Sequence, residues 1–250
     1  MVELAGRVAA LLPRPWTAPR GRPRALTLVQ AVEVTVIYLR RNQVQETVGE
    51  FYGISQSTVS RVISTLTPLV RAATACEVPD DNAVSATIAG RIVLLDGTLV
   101  PVWSWRGHRE LYSGKHRRTG FNVQVVTDAH GELITVRSPV EGCAHDLRAL
   151  RESGLPALLA GASFVFADKG YRSTGYFIPR RKPVGGQLTD QQRDYNARIG
   201  AIRAPIERAM ANLKTWRILH TDYRRPLSTY NDAFHAAIGL HWFTKRHRSA

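Results

Sequence analysis

The sequence predicts a mixed α/β domain preceded by a small all-α unit. Apolar residues recur at helical spacing between Thr27 and Leu66, and after a polar break the chain turns to short alternating or continuous apolar runs between Ile92 and Ala167. Strand, hairpin, helix, strand and a late helix are the order of elements expected of a mixed sheet. A third observation concerns charge. Lys and Arg number 34 against 20 Asp and Glu, a formal net charge of +14 over 250 residues, and such an excess attracts polyanions through release of phosphate counterions.

A membrane surface is the rival polyanion. No apolar stretch approaches the roughly 18 residues of a spanning helix, and the opening MVELAGRVAALLPRP lacks a signal-peptide layout. Cys76 and Cys143 have neither the spacing of a zinc site nor the density of a disulfide framework. The expectation is a soluble, cytoplasmic chain with nucleic acid as partner and no membrane.

Residues 1–25 read as a basic arm, because Pro13 to Arg24 alternate proline, arginine and glycine and cannot bury a core. Within it, Pro19-Arg20-Gly21-Arg22-Pro23 resembles the core of the AT-hook, in which Arg20 and Arg22 would enter a narrow minor groove. A solvated basic linker is the alternative. Residues 26–75 read as three helices. Leu28, Val32, Val36 and Leu39 make one buried stripe from Thr27 to Arg41. Gln45 to Tyr52 forms a short second helix, Gly53 a tight turn, and Ser55 the N-cap of a third helix running toward Leu66. Gly49 lets the last two helices cross closely, with Val48, Ile54, Val59 and Val62 as their core. This is a helix-turn-helix pattern whose exposed face is Gln56, Ser57, Thr58, Ser60 and Arg61, the residue types and position that reach base edges and phosphates. An ordinary helical hairpin with a polar face is the alternative. Pro68 and Pro79-Asp80-Asp81-Asn82 mark the end of the helical region and a linker over 76–90.

The catalytic-sized remainder runs from 91 to 244, with a basic tail at 245–250. Ile92 to Leu95 is an apolar run stopped by Asp96-Gly97 and continued from Leu99 to Trp103; Phe121 to Thr127 and Leu133 to Val136 form a hairpin; Asp146 to Ser153 is helical; Phe164 to Ala167 is a strand stopped by Asp168. Trp103 and Trp105 either stack on an unpaired base or pack in the core. Asp96 and Asp168 thus follow two apolar runs at the carboxyl edge of the sheet, where active-site groups of open α/β sheets gather. Glu207 lies on a helix with the apolar stripe Ile206, Ala209, Leu213 and Trp216, and shares an adjacent face with Met210 and Lys214. Three carboxylates suit two Mg²⁺ ions, which take oxygen ligands and complete their shells with water and substrate phosphate. Singly, each has a structural explanation: a turn pair at Asp96-Gly97, a cap at Asp168, and a first-turn position in a helix starting at Pro205 for Glu207.

The motifs that carry a resemblance are Leu95-Asp96-Gly97-Thr98, Tyr112-Ser113-Gly114-Lys115, Gly120-Phe121-Asn122-Val123-Gln124, Gly142-Cys143-Ala144-His145-Asp146, Ala167-Asp168-Lys169-Gly170-Tyr171, and the helix bearing Arg203, Glu207 and Lys214. Through them nearly the whole chain resembles a DDE transposase of the bacterial insertion-sequence type, similar to the Harbinger-like DDE superfamily endonucleases. The resemblance implies a ribonuclease H-like core in which Asp96, Asp168 and Glu207 bind Mg²⁺, with Mn²⁺ able to substitute, and cleave and transfer strands of double-stranded transposon-end and target DNA. It also implies a dimer or larger assembly at the paired ends. Gly200 stands where the family's tyrosine is expected three residues before the arginine. A domesticated nuclease that does not transpose and a DNA-binding regulator with an inactive core are the alternative functions.

Only five lysines stand among the 34 basic side chains, and Lys115, Lys169 and Lys214 all fall within the motifs. A compact, flexible point charge suits a phosphate near the scissile bond; chance clustering is the alternative. For His145-Asp146, either His145 assists as a proton shuttle beside the metal-binding carboxylates, with Asp146 near it, or Asp146 caps the following helix.

Overall fold

The structure is a computed structural model that describes residues 1–17, 23–103 and 107–247. Arg20, Arg22 and Trp105 lie outside the described residues. The chain forms two compact units, one made of Met1–Val78 together with the segment from Lys214 onward, the other of Pro79–Leu213. Among the described residues no helix is long and apolar enough to cross a membrane.

The first unit is helical. Helix α1 (Val2–Leu11) buries Leu4, Ala5 and Val8, so the start of the expected arm is a packed amphipathic helix. Trp16 is also buried, its indole N–H donating to the Leu26 carbonyl at 2.9 Å and its ring lying 4.1 Å beneath the Arg24 guanidinium. Helix α2 (Leu28–Arg41) opens on a capping box between Thr27 and Gln30. Helix α3 (Gln45–Tyr52) ends at Gly53, whose φ of 62° is the left-handed turn expected there. Ser55 caps α4 (Gln56–Thr74) by accepting from the Thr58 N–H. At Gly49 a β-carbon would stand 2.5 Å from the Ile54 carbonyl oxygen, the close approach that the sequence suggested.

Two further expectations fail in this unit. Helix α4 passes through Pro68 to Thr74, because Pro68 is exposed and the carbonyl deprived of its N–H, that of Ser64, is on the solvent side. The unit also does not stop at residue 75. Helix α9 (Tyr230–Arg246), expected in the catalytic domain, packs on α4, and a buried run of Ala236, Ala237 and Gly239 permits the approach. Arg7 of α1 and Arg246 of α9 both donate to Glu77, at 2.7 and 3.2 Å; burial works against this carboxylate, but the two guanidinium groups hold it below its ordinary pKa.

The second unit begins with a helix where a linker was expected: α5 (Asp81–Ile88), capped by Asp80, buries Val84 and Ile88. Next come β1 (Ile92–Pro101), β2 (Tyr112–Ser113), β3 (Arg118–Asp128), β4 (Leu133–Val136) and β5 (Val140–Glu141). Helices α6 (Asp146–Glu152) and α7 (Leu155–Leu159) lead to β6 (Phe164–Ala167), and α8 (Asp190–Leu213) closes the unit. In the six-stranded mixed sheet, β3 pairs antiparallel with β1, β2, β4 and β5, and β6 runs parallel to β1. One face carries Val93, Leu95, Val126, Val165 and Ala167 against Val84, Ile88, Leu150, Leu155 and Leu159 of α5, α6 and α7. Because side chains alternate along a strand, Leu94, Asp96 and Phe166 belong to the other face.

Strand β1 does not stop at Asp96-Gly97. It continues to Pro101 because β3 pairs beside it throughout, Asp96 opposite Val125 and Gly97 opposite Gln124. Helix α8 likewise starts at Asp190 and runs through Pro205 instead of beginning there. Trp103 is exposed, so it does not pack in the core.

Candidate active site

The parallel register of β1 and β6 ends with Leu95 opposite Ala167. The next residue on each strand is an aspartate, which sets Asp96 and Asp168 side by side at the place where the two strands part. Asp96 Oδ1 accepts from the Gly97 N–H at 2.8 Å, and Oδ2 lies 3.4 Å from Nη2 of Arg203 on α8. That contact places α8 on the Asp96 face of the sheet. Among the described residues the buried Arg203 Nε has no hydrogen-bond partner, and the guanidinium meets Asp96 through one long contact.

Burial pushes the Asp96 carboxyl above its ordinary pKa; Arg203 and the Gly97 N–H work against that, and Asp168 adds to it. A raised carboxyl pKa stabilises the fold below the unfolded-state pKa, and that contribution is lost as pH rises through the folded value. Above the folded value and without metal, the ionised form of Asp96 therefore opposes folding. Asp96→Asn is expected to melt at a higher temperature than the parent in EDTA at pH 7, with the gain vanishing near pH 4. A variant that melts lower at pH 7 would contradict this.

Behind the pair lies a buried polar chain. The Tyr171 hydroxyl donates to Gln124 Oε1 at 2.7 Å, Gln124 Nε2 to Asn122 Oδ1 at 2.9 Å, and Asn122 Nδ2 to the Ala144 carbonyl at 3.1 Å and Asp146 Oδ1 at 3.4 Å. Lys115 Nζ donates to Asp146 Oδ2 at 2.8 Å. Burial disfavours the Lys115 charge, but the bond to Asp146 and the fields of Asp146, Asp168 and Asp96 outweigh it and raise its pKa. The two glycines beside the aspartates make room for Asp146. A β-carbon on Gly97 would stand 3.0 Å from Asp146 Oδ1, Gln124 Nε2 and the Tyr171 hydroxyl, and one on Gly170 would overlap Asp146 Oδ2. Asp96-Gly97 is thus a strand segment pressed against a polar core rather than a turn.

Tyr171→Phe would leave the Gln124 carbonyl oxygen buried without its donor, at a cost of about 1–3 kcal/mol. Denaturant unfolding should show that loss; an unchanged midpoint would mean that the Gln124 oxygen finds another partner.

The other residues singled out by sequence are placed less uniformly. His145, not Asp146, is the N-cap of α6, its Nδ1 accepting from the Arg148 N–H at 3.3 Å. Lys115, His145, Asp146, Asp168 and Arg172 line one open cleft. Lys169 is exposed next to Asp168. Glu207 is exposed on α8 one turn beyond Arg203, whereas Met210, expected beside it, is buried. Among the described residues no three His, Cys, Asp or Glu side chains are gathered closely enough to hold a metal ion. Lys214 belongs to the helical unit. In that unit Gln56, Ser57 and Arg61 are exposed and Thr58 and Ser60 half-buried; Gln56 donates to Gln45 at 2.9 Å and Arg61 to Thr58 at 3.3 Å.

A family model described as DDE superfamily endonuclease matches residues 95–241, more than half of the chain. The chain belongs to this family. Its relatives in the DDE endonuclease family include the putative transposase for insertion sequence element IS112 of Streptomyces albus G, 32% identical over 202 residues that cover 80% of this chain and 74% of that protein. The probable transposase for insertion sequence element IS702 of Microchaete diplosiphon is 24% identical over 211 residues, covering 82% and 76%. This chain is thus a DDE insertion-sequence transposase by family. A crystal structure of a pre-cleavage Mos1 transpososome aligns over 92% of this chain and 81% of that one at 11% identity, with a TM-score of 0.21, too low to bear on fold or function.

Three residues beside the DDE endonuclease's aspartate pair, Asn122, Gln124 and Tyr171, were visible in the sequence only as parts of motifs. For the two amides the signal was nonetheless there: Asn122 and Gln124 alternate with Phe121, Val123 and Val125 in the middle of β3, and amides buried in such a run must find partners; here they find one another and Asp146.

Proposed function

We propose that this chain is a transposase that binds the DNA ends of its element and cleaves and transfers phosphodiester strands with divalent metal. The observation that carries the reading is the Leu95–Ala167 register, which makes Asp96 and Asp168 neighbours on the face where α8 brings Arg203. The donor chemistry fits Mg²⁺, with Mn²⁺ as substitute, because hard oxygen ligands are what such ions select and one or two protein carboxylates suffice to seat them. The raised Asp96 carboxyl points the same way, since a half-buried carboxylate beside a second one is a site short of positive charge. Glu207 would be the third ligand, reached from α8.

When bound, the ions would supply a polarised attacking oxygen and a stabilised leaving oxygen. The chain's own groups do the rest. Arg203 holds α8 against Asp96. Asp146 holds the Lys115 ammonium in the cleft beside Asp168, where it and Lys169 can meet a phosphate; Lys214 would do so elsewhere along the DNA. His145, exposed at the same cleft, is placed to carry a proton. The order β4–β3–β1–β6, with β6 parallel to β1, supports a ribonuclease H-like core. Helix α3, the left-handed turn at Gly53 and α4 support a helix-turn-helix reader of double-stranded DNA, presenting Gln56, Ser57, Thr58, Ser60 and Arg61. Synapsis of two ends would take a dimer or larger assembly.

Supercoiled plasmid incubated with the full chain should be nicked in Mg²⁺ or Mn²⁺ and left intact in EDTA. Equal nicking in EDTA would overturn the metal assignment, and a chain that neither nicks nor binds DNA would overturn the reading.

A further inference from the structure

Six arginines of the helical unit fall into two groups. Arg7, Arg71 and Arg246 are ion-paired with carboxylates, at 2.7 Å to Glu77, 2.7 Å to Asp232 and 3.2 Å to Glu77. Arg61, Arg224 and Arg225 are not: among the described residues their hydrogen bonds go to neutral groups. Arg225 donates to the hydroxyls of Ser60 and Ser64 at 3.5 and 2.5 Å, Arg224 to the Asn42 carbonyl at 2.6 Å, and Arg61 to the Thr58 hydroxyl. All three belong to the exposed side of α4 or to the segment lying across it.

That segment is fastened in place. Asn42, the left-handed C-cap of α2, is buried and donates from Nδ2 to the Thr221 hydroxyl at 2.8 Å and the Asp222 carbonyl at 3.0 Å. Tyr223 and Tyr230 pack edge to face behind it. The two arginines that follow are therefore carried to the recognition face from more than 160 positions along the chain. An open cleft lined by Gln43, Gln45, Glu46, Gln56, Arg224 and Arg225 lies along one flank of the start of α4. A second cleft, on which Arg24 and Arg61 open, lies along the other. Polar side chains that can read bases, with uncompensated guanidinium groups on either flank, match a duplex whose groove edges lie between two rows of phosphates.

We propose that Arg224 and Arg225 are phosphate contacts for duplex DNA seated on α4, so that the DNA-reading surface is built from α4 together with the segment that follows Lys214. The serine hydroxyls of Ser60 and Ser64 aim Arg225, and its charge stays available because, among the described residues, its hydrogen bonds go to hydroxyls and not to a carboxylate. The inference rests on the reading of α3 and α4 as a DNA-binding element.

Binding of the full chain to two unrelated 30-base-pair duplexes, followed by fluorescence anisotropy across a range of salt, tests it. Each phosphate contact contributes about 0.9 to the slope of log K against log salt. The double variant Arg224→Ala/Arg225→Ala is expected to lower the slope by about 2 and to weaken both duplexes by the same factor. Arg224→Lys/Arg225→Lys, which keeps the charge but not the bidentate fork, is expected to keep the parental slope. An unchanged slope in the alanine pair overturns the inference and leaves the DNA-binding reading standing. An equal loss in both pairs also overturns it, because the arginines would then act only by holding the segment down. A parent chain that binds neither duplex overturns the underlying reading itself.

Discussion

Asp96→Asn and Asp168→Asn are expected to bind duplex DNA as tightly as the parent and to lose Mg²⁺-dependent nicking by at least the roughly 10²-fold that disturbing even a supporting group of a metal site can cost. Asparagine keeps the shape and removes the anionic oxygen that a hard cation needs. Both residues stand at the parting of β1 and β6, in the unit that does not contain α3 and α4, so affinity for DNA should be spared. Of the two, Asp168→Asn also removes a neighbour that raises the Asp96 pKa, and it should therefore lower that pKa in the metal-free protein. Nicking within tenfold of the parent in either variant would mean that the acidic pair is not the metal seat.

Deleting the chain from Lys214 onward is expected to unfold the helical unit. Helix α9 packs on α4 and buries Ala233, Phe234, Ala237, Ile238, Leu240 and Phe243, and the deletion would leave the surface of α4 that it covers apolar and wet. Phe234→Ala alone, at a side chain 1% exposed, should cost about 3–5 kcal/mol through lost transfer energy and the cavity left behind. Circular dichroism of a 1–78 fragment and urea unfolding of the Phe234→Ala full chain are the measurements. A fragment as helical as its share of the intact protein would show instead that the N-terminal helices fold alone.

What could be read from the sequence was what local chemistry decides. Thr27, Gly53 and Ser55 fix helix boundaries by capping and by a left-handed turn, and Phe164 to Ala167 followed by Asp168 is an apolar run with a clear stop. Helix α1 is equally legible, since Leu4, Ala5 and Val8 share a face, although the proline-rich stretch after it has the composition of an arm. What failed depends on distant partners. Asp96-Gly97 reads locally as a turn and is held extended only by pairing with Val125 and Gln124. The first turns of α8 are polar nearly all round, with Ile199 the buried residue before Pro205, so they carry no stripe to recognise. The candidate site divides in the same way. The two aspartates follow from strand ends, whereas the contact of Arg203 with Asp96 and the role of Gly97 and Gly170 in admitting Asp146 require the sheet, α6 and α8 to be in place.

The helical unit, closed by a segment that begins at Lys214, also sets an order of events during synthesis. A nascent chain offers α1 to α4 early but cannot cover α4, or bring Arg224 and Arg225 to it, until the segment from Lys214 through α9 has left the ribosome. At about 5–20 residues per second that interval is on the order of 10 s. A product terminated before α9 would therefore carry α4 without the helix that covers it, and would be open to proteases.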